Sequence, residues 1–187
     1  PEKCRKTYDT FKNTFIQYGL ESVLHRVVAL VVQPGVEFGD EDIVKYNHEK
    51  AADLVRFGKS DLPIVFEGHS TDYQPRGSLK AMVQDGIAFL KVGPALTFAL
   101  REALFALELI EKELYIGKSY LASNFRDVLE MSMLNEPGNW VNHYHGDAFK
   151  QKLARKYSFS DRARYYLPDP EVEKAIHQLT TNLDSID

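Results

Sequence analysis

Ile64-Val65-Phe66-Glu67-Gly68-His69-Ser70-Thr71-Asp72-Tyr73 and, further along, Ile87-Ala88-Phe89-Leu90-Lys91-Val92-Gly93-Pro94 repeat one pattern, and that repetition decides the fold. Each opens with a short apolar run that reads as a strand, over residues 64–67 and 87–92, and passes through glycine into polar or turn chemistry. A helical stretch follows each: a short one over residues 78–84 and a long one over residues 97–114. A third copy stands upstream. Val27-Val28-Ala29-Leu30-Val31-Val32 is a largely β-branched run without polar alternation, which reads as a strand buried on both faces. Gln33-Pro34-Gly35 ends it, and a helix-like stretch with Ala51, Ala52, Val55 and Gly58 near its end follows. Three strand-loop-helix units in series predict a parallel sheet covered by helices, either a doubly wound sheet or part of a barrel.

Outward from this centre the pattern is helical. Tyr8, Phe11, Phe15 and Tyr18 recur at steps of three and four, one face of a helix from Cys4, with Gly19 as its stop. Beyond Tyr115 the chain reads as helix and loop only. Leu121, Phe125, Val128 and Leu129 make one amphipathic face, broken by Pro137-Gly138. Asp169-Pro170-Glu171 combines a capping side chain, proline in the first turn and an acid facing the positive end of the dipole, so a last helix starts there. Val172, Ile176, Leu179 and Leu183 form its buried face. The expected division is therefore 1–115 for the strand-helix units and 116–187 for a helical C-terminal extension packed on them.

Composition narrows the function. In a chain of 187 residues with a net charge of −4, basic residues are interspersed with acids, so no basic stripe is available for a nucleic-acid backbone. The longest apolar run, residues 27–32, is far shorter than the roughly 20 residues of a membrane-spanning helix. Cys4 is the sole cysteine and reads as a partly buried side chain near a chain end. The chain starts at Pro1 without a leader-like segment, which favours truncation of a longer protein.

In parallel α/β folds ligands bind at the carboxyl ends of strands, so the residues just after each run are the candidate site. Three segments qualify: 33–37, 67–73 and 91–97. The second and third are the richer in useful groups. Gly68 with the hydroxyls of Ser70 and Thr71, and Gly93, Ala95 and Thr97 entering a helix N-terminus, look like two sides of a phosphate site. Ordinary strand-to-helix turns would use the same residue types. Glu67 and Lys91 end adjacent strands and read either as a mutually satisfied ion pair or, more sharply, with Lys91 as a Schiff-base amine. His69 could ligate a metal or simply hydrogen bond. His143 and His145 flank Tyr144 with no third ligand in view. No phosphate-binding glycine loop ending in Lys-Ser/Thr and no nucleophile elbow occurs, which disfavours kinase and hydrolase readings.

The runs Val65-Phe66-Glu67-Gly68-His69-Ser70-Thr71-Asp72-Tyr73-Gln74 and Phe89-Leu90-Lys91-Val92-Gly93-Pro94-Ala95-Leu96-Thr97-Phe98-Ala99-Leu100-Arg101-Glu102-Ala103 closely resemble the GatZ/KbaZ family. Val31-Val32-Gln33-Pro34-Gly35-Val36-Glu37-Phe38 and Tyr157-Ser158-Phe159-Ser160-Asp161-Arg162 look like further blocks of it. The resemblance implies the C-terminal portion of a (β/α)8 TIM barrel of the class II aldolase type, with residues 1–115 as its last three βα units. It implies a longer protein, with an N-terminal half and some sequence after Asp187.

The resemblance further implies a non-catalytic, chaperone-like subunit needed for full activity and stability of a class II tagatose-1,6-bisphosphate aldolase. The pathway would be galactitol or N-acetylgalactosamine and galactosamine catabolism in the bacterial cytoplasm. The implied partner is the catalytic GatY/KbaY-type subunit, which carries zinc, while this chain needs no cofactor or metal of its own. Class II aldolases place a zinc-binding histidine before a Gly-Ala-Ser-Gly phosphate loop, and the analogous segment here is Glu67-Gly68-His69-Ser70, with glutamate in the histidine's place. The alternative is a sugar-phosphate aldolase or epimerase in its own right, using Glu67, His69 and Lys91. A tagatose-6-phosphate kinase activity, a label sometimes given to the family, lacks a nucleotide-binding loop here.

Overall fold

The computed structural model describes residues 1–185. They form two compact units: Pro1–Phe38 with Asp42–Gly93, and Gly39–Glu41 with Pro94 onward. The sequence reading drew its boundary after residue 115. By its contacts the long helix that precedes that point groups with the C-terminal helices.

The first unit opens with α1 (Glu2–Gln17) and carries three strands, β1 (Ala29–Val32), β4 (Val65–Gly68) and β5 (Ile87–Leu90), in the order β1-β4-β5. Both pairings are parallel, as three strand-loop-helix units require, with Val31 opposite Glu67 and Glu67 opposite Phe89. Two helices supply the crossovers. The helix α2 (His48–Ser60) is capped by the Asn47 side chain, which accepts from the Lys50 N–H at 2.8 Å, and α3 (Arg76–Gln84) ends one residue before Asp85. A short antiparallel hairpin, β2 (Glu37–Phe38) with β3 (Ile43–Val44), interrupts the segment after β1 and had no periodic signal in the sequence.

The strands bury only one side. Leu30, Phe66 and Ile87 share a register row, with Phe66 and Ile87 fully buried and Leu30 partly so, packed with Val55 and Met82. On the other side of the sheet Val31, Val65 and Phe89 are 53%, 41% and 49% exposed. The expectation that residues 27–32 are buried on both faces is therefore corrected. The helices of this unit pack against one face of the sheet, and the β-branched run reflects a second face that this unit leaves open. The apolar face of α1 is likewise only half covered, since Phe11 and Tyr18 are exposed.

At the amino end of β5 a small polar network ties the unit together. The Tyr46 hydroxyl donates to Asp85 Oδ2, and His48 Nδ1 meets the same oxygen, both at 2.7 Å. Burial pushes the Asp85 carboxyl up, but the hydrogen bonds from His48 and Tyr46 and the positive charge of His48 and Lys59 outweigh it and hold the group below its ordinary value. Burial and the bond to Asp85 drive the Tyr46 phenol well above its own.

The second unit is helical: α4 (Pro94–Leu114), α5 (Phe125–Asn135), α6 (Ala148–Tyr157) and α7 (Pro170–Asp184). Its core joins Leu104 and Phe105 of α4 to Phe125, Leu129 and Met133 of α5 and to Val172 and Leu179 of α7. Leu121, expected on the α5 face, precedes that helix and is exposed. Asp169 caps α7 as its sequence indicates, accepting from the Glu171 N–H at 2.9 Å. Two glutamates of α4 are wholly buried because they serve the backbone that follows. Glu111 accepts from the N–H and hydroxyl of Ser123 and from Asn182, and Glu108 accepts from the Arg126 N–H while pairing with Lys112. Those bonds satisfy donors of the turn into α5, which would otherwise be orphaned.

Candidate functional site

The carboxyl ends of the three parallel strands carry the side chains singled out from the sequence. On a strand, residues two apart project from the same side, so Glu67 and His69 emerge together on the open side of the sheet. They meet there, with His69 Nε2 2.8 Å from Glu67 Oε1, and both remain about one-third exposed. The ion pair anticipated between Glu67 and Lys91 is not formed. Glu67 pairs with His69, and among the described residues no hydrogen bond or ion pair engages Lys91 Nζ.

The loop after β4 is built tightly. Ser70 and Tyr73 both adopt positive φ, 56° and 60°, a conformation that non-glycine residues hold only when their surroundings impose it. The surroundings are visible: the Thr71 hydroxyl is buried and donates to the Lys91 carbonyl at 2.7 Å, and the Asp72 carboxylate accepts from the Gly93 N–H at 2.8 Å. The buried Gln74 amide bridges the Tyr46 N–H and the Val44 carbonyl. Gly68 has a packing reason to lack a side chain, since a Cβ there would lie 2.9 Å from Ile87 Cγ2.

Thr97, in the first turn of α4, donates its hydroxyl to Asp161 at 2.6 Å, and that carboxylate also receives Arg101 Nε at 2.8 Å. Ala95 sits half-buried in the same turn. Of the proposed phosphate-site hydroxyls, then, those of Thr71 and Thr97 are engaged within the fold, whereas Ser70 stays partly accessible beside the Glu67–His69 pair.

Two further residues complete this end of the sheet, both from the candidate segment 33–37, where the sequence assigned neither a role. The Gln33 amide donates to Glu37 Oε2 at 3.0 Å and to Ser70 Oγ at 3.2 Å. Their position just after the first strand was the available signal, but nothing in their spacing marks them. His143 and His145 are exposed on either side of the buried Tyr144. Among the described residues no three His, Cys, Asp or Glu side chains converge to hold a metal ion, so Glu67 and His69 stand as a pair without a third ligand. Among the same residues no helix is long and apolar enough to cross a membrane.

Comparison with known proteins agrees with this geometry. A crystal structure of a "probable tagatose 6 phosphate kinase" from Sinorhizobium meliloti 1021 matches all of this chain at 42% identity with a TM-score of 0.93. The chain spans 48% of that protein's length, about half of it. The parallel β1-β4-β5 sheet with its helices is consistent with part of an aldolase-type TIM barrel. The family model described as D-tagatose-1,6-bisphosphate aldolase subunit GatZ/KbaZ-like matches residues 1–187, and the chain belongs to that family.

Proposed function

We propose that the protein acts as a non-catalytic, stabilising subunit of a class II tagatose-1,6-bisphosphate aldolase, whose catalytic GatY/KbaY-type partner holds the zinc. The observation that carries this reading is the Glu67–His69 pair. At the strand end where a catalytic relative would keep a metal-binding histidine, this chain has a carboxylate whose Oε1 is 2.8 Å from the neighbouring imidazole. A carboxylate bonded in this way holds its own loop in place, and among the described residues no third ligand joins the pair to close a zinc site. The rigid loop after β4 keeps the shape of a ligand-binding strand end, which suits a scaffold that retains a pocket without the chemistry. The pathway served is galactitol or galactosamine-type catabolism in the cytoplasm.

The test compares the full-length protein, the catalytic subunit and their mixture in an aldolase assay, with and without added zinc. The expected result is no cleavage of tagatose 1,6-bisphosphate by this protein alone and a rise in the activity and heat resistance of the partner on mixing. Cleavage by this protein alone overturns the reading. The second reading, an aldolase or epimerase in its own right, is favoured by one feature: a hydrogen-bonded carboxylate and imidazole can act as a general base.

A further inference from the structure

The exposed side of the sheet changes character along its length. Toward the amino ends of the strands it is apolar, with Val65, while Val31 and Phe89 flank Glu67 in the register. At the carboxyl ends it becomes polar, with Glu67, His69 and, by register, Gln33. The His69 N–H donates to the Val32 carbonyl at 2.9 Å, which carries the ladder one bond past β1 and sets Gln33 beside His69. Gln33 in turn reaches Glu37 and Ser70, so amide, carboxylate, hydroxyl and imidazole lie along one strip.

The chemistry of that strip selects against a phosphate and for hydroxyls. Glu37 and Glu67 bring two carboxylates and no guanidinium or ammonium, so a phosphate dianion is repelled there. A carbon-bound hydroxyl both donates and accepts: it gives its proton to the Gln33 amide oxygen or the second Glu67 oxygen and takes one from the Ser70 hydroxyl, since the Gln33 N–H groups are spent on Glu37 and Ser70. A row of hydroxyls on a linear carbon chain therefore matches alternating acceptors and donors. Positive charge lies one strand away. The Lys91 N–H donates to the Gly68 carbonyl at 2.9 Å, continuing the ladder past β5, and alternation from Phe89 puts Lys91 on the same side, with no partner for its Nζ among the described residues. The support is rigid, since the positive φ of Ser70 and the buried bond from Thr71 to the Lys91 carbonyl hold both strand ends.

We propose that Gln33, Glu37, Glu67 and His69 form a hydroxyl-reading surface for an open-chain polyhydroxy ligand whose anionic end lies toward Lys91. The inference deepens the function given above and rests on its premise that the strand ends keep a ligand pocket. It assigns the recognition of the carbon chain to these four residues, and the ligand is bound and released unchanged.

Isothermal titration of the full-length protein with sorbitol 6-phosphate, sorbitol and inorganic phosphate tests it. Sorbitol 6-phosphate binds tightest and inorganic phosphate weakest. Gln33→Leu and Glu67→Gln each weaken both polyols about tenfold, the loss of one hydrogen bond, and leave inorganic phosphate unchanged. Lys91→Met weakens the phosphate ester alone. Gln33 is exposed, so its variant decides the matter even where Glu67→Gln lowers the melting temperature. The proposal is overturned if the folded protein binds no sorbitol 6-phosphate, if inorganic phosphate binds as tightly, or if the Gln33 and Glu67 variants bind the polyols as the parent does. Activation of the catalytic partner is measured on the same samples. A protein that activates its partner but binds no polyol phosphate removes this proposal and leaves the subunit reading intact. One that binds and does not activate does the reverse.

Discussion

Gly58 of α2 lies against the ring of Phe66 in β4: a Cβ added at Gly58 would stand 2.3 Å from Phe66 Cε2. The helix can approach the strand this closely only because residue 58 has no side chain, and Phe66 is itself buried and cannot swing away. In an exposed helix Gly→Ala gains about 1 kcal/mol. Here overpacking, which costs about 1–3 kcal/mol, opposes that gain and outweighs it. Gly58→Ala is expected to lower the thermal midpoint of the full-length protein, and adding Phe66→Leu is expected to restore part of the loss. A midpoint raised by Gly58→Ala alone contradicts the packing argument.

The Asp85 network predicts opposite pH responses at the two ends of the scale. Asp85 titrates lower in the folded protein than in the unfolded chain, so its contribution is present above about pH 4 and fades as the pH falls through the folded value. Tyr46 titrates higher when folded, so its contribution is complete below about pH 10 and fades as the pH rises beyond it. Asp85→Ala leaves the Tyr46 hydroxyl without its acceptor and should cost about 2–3 kcal/mol near neutrality. Denaturant melts from pH 3 to 11 check this (a range set by the ordinary acid and phenol values). The variant should show a flatter acid limb than the parent.

Arg101 and Asp161 form a buried ion pair at 2.8 Å, with the guanidinium over the rings of Phe98, at 4.6 Å, and Phe105, at 5.3 Å. Arg101→Leu strands the carboxylate and is expected to destabilise by about 3–5 kcal/mol, as removal of one partner from a buried pair does. Arg101→Leu combined with Asp161→Asn should recover much of that loss, because no buried charge is left unpaired. Strict additivity of the two substitutions in a chemical-denaturation cycle would show that the pair is not coupled.

The reading of this chain as non-catalytic makes a chemical prediction at Lys91. Borohydride reduction in the presence of dihydroxyacetone phosphate should add no mass to the protein, since a stable adduct requires an iminium on a lysine. Intact-mass spectrometry reads the outcome. An adduct mapped to Lys91 makes the protein an aldolase of the Schiff-base kind.

The exposed apolar side of the sheet predicts association of the isolated chain. Val31, Val65 and Phe89 share that side, and among the described residues β1 and β5 each have one unpaired edge. Sedimentation of this chain alone should show a concentration-dependent rise in mass, and Val31→Lys with Phe89→Glu should suppress it. A monodisperse monomer at all concentrations refutes the idea.

The three strands, their parallel pairing and the start of the last helix were legible in the sequence because each rests on local pattern or capping: apolar β-branched runs between helical stretches, the Asp169 cap, the steps of three and four along α7. The candidate strand ends were legible too, since each βα turn announces itself with glycine and small polar residues. Pairing across the sheet was not. Whether Glu67 would meet Lys91 or His69 depends on side-chain geometry at the ends of adjacent strands, and the register between β4 and β5 shifts by a residue at Phe66 and Glu67. Gln33 and Glu37 carried only the signal of their position after the first strand, because their hydrogen bonds to each other and to Ser70 exist only once β1 lies beside β4. The open side of the sheet escaped notice for a related reason: an apolar run records that a strand has two faces suited to burial, while the elements that cover each face are supplied by the tertiary structure.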